Sequence, residues 1–209
     1  MEGLIQTITV YAIPVLFAIT VHEAAHGYVA RLFGDNTAFV AGRITLNPLK
    51  HIDPIGTIVV PLVMVALSGF MFGWAKPVPV NFGQLRKPKR DMIWVAAAGP
   101  GANLLMAILW LFFAKAAVFL DTQEAFFLLV ADAGIKVNLM LMALNLLPLP
   151  PLDGGRILVG VLPRQIAWQV ARIEPYGFVI LMVLLFTNTL GFFIQPFLRF
   201  GSTVLELFI

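Results

Sequence analysis

From Ile93 to Leu120 the chain runs for 28 residues with a single charge, Lys115. About 20 apolar residues suffice for a helix to cross a hydrocarbon core of about 30 Å, so this run reads as a membrane span. Three further runs resemble it: Leu4 to about Phe33, Ala125 to Leu147, and Tyr176 to about Phe197. Inside lipid the backbone must bond to itself, which makes each of them a helix. The composition is 60% hydrophobic and 12% charged, with a mean hydropathy of +0.91, where soluble domains carry about 25% charged residues. The expected fold class is an all-α polytopic membrane protein. We expect a bundle of about four to six transmembrane or re-entrant helices, with small β-hairpin elements near the cytoplasmic face. Residues 1–209 read as one membrane-embedded domain, with a core over about 1–160 and C-terminal helices over 161–209.

Near the inner end of the first run stands His22-Glu23-Ala24-Ala25-His26. A helix turns about 100° per residue, so His22 and His26 share one face and can reach one metal ion. Glu23 is offset enough to miss that ion and touch a water bound to it. This is the HExxH arrangement of a zinc hydrolase, two ligands and a general base. Histidines and a carboxylate are costly inside lipid unless they serve chemistry or transport. From Leu4 to His22 is about 27 Å of helix, which places the pair in the membrane but shallowly. The chain has no cysteine, so it offers no disulfide, thiolate nucleophile or thiolate metal site. Glu2 stands where a signal peptide would carry positive charge, and the first run is expected to be retained.

Arg31, Arg43 and Lys50 precede the apolar stretch 55–72, and Lys76, Arg86, Lys87, Lys89 and Arg90 follow it. Basic loops favour the cytoplasm. Both loops lie there if 55–72, broken by Gly56, Pro61 and Gly69, dips in and returns; a full span would put one outside. The same clustering points to lipid headgroups and not to nucleic acid. Around Gly42 and again at Val78-Pro79-Val80-Asn81 the residues suggest short strands. Asn103, in Gly99-Pro100-Gly101-Ala102-Asn103, reads as a helix-packing residue. Asp132 and Lys136 can pair within the bundle.

Two histidines leave a catalytic zinc one protein ligand short. His51, Asp53, Asp153 and Glu174 are candidates. Bracing the loop is at least as natural for His51, and more so for Asp53. Asp153 fits best, since Pro148, Pro150 and Pro151 end the preceding helix and hold it on a rigid elbow at the depth of the histidines. Asn145, on the helix end before that elbow, can hold a substrate backbone or a developing oxyanion, or simply pack.

These pieces, namely His22 to His26, Gly99 to Asn103, and Asn145 through Leu152-Asp153-Gly154, together resemble the site-2 protease family. They cover roughly residues 1–160 in that family's order. The resemblance implies an intramembrane zinc metalloprotease: His22, His26 and Asp153 bind Zn2+, Glu23 is the catalytic base, and Asn145 stabilises the substrate. It further implies transmembrane-protein substrates cut in or near their spans, in regulated intramembrane proteolysis. The expected location is a bacterial inner membrane, with the active site near the cytoplasmic face. Gly42 to Pro48 is similar to a compact bacterial branch, and the chain carries neither a PDZ-like insertion nor a nucleotide-sensing domain. A metal-ion transporter or channel using the same His/Asp site is the alternative, but it leaves Glu23 without a task.

Overall fold

The computed structural model describes residues 2–60, 75–121 and 124–209. Among them all regular structure is helical. Helix α1 spans Glu2–Leu32, running through Pro14, and a single turn, α2, follows at Thr37–Val40. Helices α3 (Pro88–Phe119) and α4 (Ala125–Asn145) complete the central trio. Then come α5 (Asp153–Val161), α6 (Arg164–Ala171), α7 (Glu174–Phe186) and α8 (Leu190–Glu206).

Helices α1, α3 and α4 are each long and apolar enough to cross a membrane, and α6 with α7, bent by 62° at the break between them, would make a fourth crossing if taken as one span. That sets the described residues at the low end of the expected bundle. The dip or span expected over 55–72 lies outside the described residues beyond Val60. Up to there, Asp53 accepts from the backbone N–H groups of Ile55 and Gly56 and opens a wide helical turn over Pro54–Val59.

Two expectations need correction. No β-hairpin forms among the described residues. Where a strand was expected around Gly42, the chain makes α2 and then a turn at Gly42, whose φ of 62° a tight reversal requires. Residues 75–81 form no regular structure and pair with no strand, and Asn81 at their end is extended. Their polar groups are taken by side chains and loop backbone: Val78 N–H by Glu23, Asn81 N–H by Asp35, Lys76 N–H by the His51 carbonyl, and the Lys76 carbonyl by Arg43. Ladder partners are replaced by anchors. The single final span over 176–197 is also broken: Thr187-Asn188-Thr189 separates α7 from α8, with Asn188 in the left-handed region at φ 55°. Asn is among the few side chains that adopt that conformation readily, so the polar triplet ends one helix and starts the next.

Small residues let the central helices close on one another, which is how helices associate where lipid is as apolar as the side chains. Ala107 of α3 and Leu139 and Met142 of α4 form one buried cluster with Leu205 of α8; Val10 of α1 packs with Val130 and Ala133 of α4. After α4, the proline-bearing elbow turns the chain back. Gly154 and Gly155 let the first turn of α5 press against it, since a Cβ on either would overlap backbone atoms of 146–150. That contact fixes Asp153.

Candidate metal centre

α1 delivers His22 and His26 one turn apart, and α5 delivers Asp153 from its first residue. The three meet: Nε2 of His22 and Nε2 of His26 are 3.1 Å apart, and the Asp153 Oδ2 is 3.3 Å from the first and 3.4 Å from the second. A tetrahedral zinc with bonds of about 2.0–2.1 Å spaces its ligand atoms about 3.3 Å apart, so the triangle has the size of one face of that tetrahedron.

Protons make the stronger case. The His22 Nδ1 lies 2.6 Å from Oδ1 of Asn103 and the His26 Nδ1 lies 2.7 Å from the carbonyl of Val95. The Asn103 amide is oriented by its own donations, to the Ala18 carbonyl and to Oδ1 of Asn138, while Asn138 donates to the Gly134 carbonyl. Both partners of the histidines are therefore acceptors, so both Nδ1 atoms donate, which leaves both Nε2 atoms to face a metal ion. The Asp153 Oδ2 is buried without a hydrogen-bond partner. Two imidazole nitrogens and a carboxylate oxygen thus converge on one point, an arrangement that a cation satisfies.

The wall behind this site is α3. Val95, Gly99 and Asn103 recur every four residues and share one face, on which two residues orient the histidines and one leaves room for them. Asn103, expected to pack helices, is fully buried and bonded to a metal-ligand candidate. Asn138 went unread. Its signal is the same spacing of four, Gly134 to Asn138, in an otherwise apolar span. Outer-shell partners of this kind are typically worth ten- to a hundredfold in metal affinity. Asn103→Leu, which cannot accept from His22, is expected to weaken zinc binding about tenfold or more in chelator competition, with helix content retained; unchanged affinity would remove Asn103 from the site.

The other candidates lie elsewhere. His51 donates from Nε2 to the Thr45 carbonyl and braces its loop, as Asp53 caps the next turn. Glu174 is within 3.4 Å of Arg156 at the start of α7. Asn145 is turned back on its own helix, donating to the Leu141 carbonyl. Glu23 is half-buried, with Oε2 accepting from Val78 N–H at 2.7 Å.

A helical bundle with apolar spans that closes an HExxH pair and one aspartate around a common point offers a candidate metal site. The chain is 40% identical to the Bacillus subtilis protein named "Putative zinc metalloprotease YwhC" over 206 residues, covering 94% of this chain and 89% of that one. It is 34% identical to Mycolicibacterium smegmatis "Putative zinc metalloprotease Rip2" and 31% identical to the Mycobacterium tuberculosis protein of that name. Each of those alignments covers 84% of this chain and 66% of the relative. No family model matches the chain, and no solved structure matches it. The chain belongs to the site-2 protease family of zinc metalloproteases, and zinc is the metal its His22, His26 and Asp153 suit.

Proposed function

We propose that this chain is an endopeptidase of the bacterial inner membrane that cuts peptide bonds in or near the transmembrane segments of other membrane proteins. The observation that carries the reading is the trio of convergent donors with Glu23, the neighbour of His22, on the same turn of α1. Bound there, zinc would act as a Lewis acid, polarising a water and the scissile carbonyl. Glu23 takes the proton from the attacking water and returns it to the leaving amine. Asn145, released from its own helix, offers its amide to the substrate backbone or the oxyanion. The basic residues Arg31, Arg43, Lys50, Arg86, Lys87, Lys89 and Arg90 flank the same end of the bundle, which favours the cytoplasmic face for the site.

A substrate helix hides its own carbonyls and must be held extended to be cut. The run 78–81 offers a template, because Val80 N–H has no partner among the described residues while Val78 and Asn81 are anchored. Val80→Pro removes that donor. It is expected to slow cleavage about tenfold, with zinc content unchanged, and full activity would exclude strand pairing at this edge. The reading as a whole is tested by purification in detergent, metal analysis, and incubation with a panel of single-span membrane proteins; zinc-loaded protein that cuts none of them, while moving metal across liposomes, would favour the transporter alternative.

A further inference from the structure

Asp132 and Lys136 were expected to pair inside the bundle. They do pair, at 2.6 Å, but on its outside: their side chains are 54% and 64% exposed. Asp132 lies about 10 Å and Lys136 about 16 Å along α4 from its Ala125 end, well within a hydrocarbon core of about 30 Å. Leu129, 42% exposed, and Met140, 47% exposed, continue the stripe at helical spacing, and the residues of α4 between them are buried or half-buried. One N–H···O contact uses one of the ammonium's three donors and a fraction of the carboxylate's acceptors. The rest of both groups would face acyl chains, which membrane proteins avoid unless a protein partner covers them.

The metal site does not use this face. Asn138, which points toward His22 through Asn103, lies about 200° round the helix from Lys136. The stripe is therefore a face distinct from the one that carries Asn138.

We propose that the occupant is a second copy of this chain, docked α4 to α4 about a two-fold axis along the membrane normal. Charges at mid-membrane are rare, so few other helices offer a match at this depth. A second copy, inserted with the same topology, brings one acid and one amine to that level without fail. About the two-fold, each Asp132 meets the partner's amine as well as its own, giving a neutral ring of four charges. The patch is self-complementary, as a two-fold interface requires.

The absence of cysteine allows a direct test. The full chain carrying Leu129→Cys is purified, reconstituted alone in phosphatidylcholine liposomes and oxidised with copper-phenanthroline. Val183→Cys, 55% exposed on α7, serves as the control surface. Disulfide-linked dimer is expected at least tenfold above the control. Adding Asp132→Lys, or separately Lys136→Asp, should abolish that excess by setting like charges face to face. Mixing those two variants, with tags of different length, should restore linkage between them, since a chain with two amines then meets a chain with two acids. Bound zinc and wild-type elution report that each variant is folded; if either is not, the comparison of Leu129→Cys with Val183→Cys decides alone. Dimer no more abundant than the control overturns the proposal. So does failure of folded single variants to rescue one another, or a Leu129→Cys adduct of different mass that forms in cell membranes and not in liposomes.

Discussion

Glu23→Gln is expected to lower the rate of peptide hydrolysis about 10³- to 10⁴-fold while the protein keeps its zinc. General acid–base groups contribute about 10²- to 10⁴-fold, and the upper part of that range applies where one residue both takes and returns the proton. Glutamine matches glutamate in length, and its carbonyl oxygen can still accept from Val78 N–H, so the segment 75–81 stays in place. It touches none of the three convergent donors: His22 and His26 are held through their Nδ1 atoms by Asn103 and Val95, and Asp153 by the elbow. Turnover of a single-span substrate and zinc per chain, measured on the same preparation, check the expectation. Activity within tenfold of wild type would remove Glu23 as the base. Loss of zinc together with activity would make Glu23 part of the metal's support instead. The transporter alternative predicts altered metal flux and no proteolysis in either protein.

The reach of the sequence follows from how local each signal is. His22 and His26 are legible because a single helix sets their spacing, and Asp153 because its prolines and glycines announce a rigid elbow. The convergence of the two is visible only once α5 folds back against residues 146–150. Asn103 reads from sequence as a packing residue, since nothing in its own span says that its neighbour 81 positions away is a histidine. Asn138 lies one step further along the same hydrogen-bond chain and was invisible for the same reason. Strands were expected around Gly42 and at 78–81 because Val, Ile, Thr and Pro favour extended backbone. At 75–81 no ladder forms, because the donors and acceptors go to Glu23, Asp35, Arg43 and His51, residues scattered over α1 and the loop after it. The pairing of Asp132 with Lys136 was readable from their spacing of four. Which way the pair faces was not, because that depends on how α1, α3 and α8 surround α4.

Gly99→Ala tests the convergence itself. A Cβ built on Gly99 would stand 2.6 Å from Nε2 of His22 and closer still to Nε2 of His26, inside any real carbon–nitrogen contact and next to the position the metal must take. The imidazoles cannot swing away without breaking their bonds to Asn103 and to the Val95 carbonyl. Nor can α3 retreat freely, because Val95 and Asn103 ride on the same helix and would carry those bonds with them. One methyl group is therefore expected to weaken zinc binding by about 100-fold or more, beyond the range usual for an outer-shell change. Proteolysis should fall in parallel. Gly101→Ala, two residues on, meets no atom within 4 Å and is the matched control, expected to keep both zinc and activity. Chelator competition gives the affinity, and far-ultraviolet circular dichroism separates a displaced metal from a collapsed bundle. If Gly99→Ala held zinc as tightly as Gly101→Ala, the face of α3 that carries Gly99 would not be the wall of the site, and the triangle formed by His22, His26 and Asp153 would lose its meaning as a metal centre.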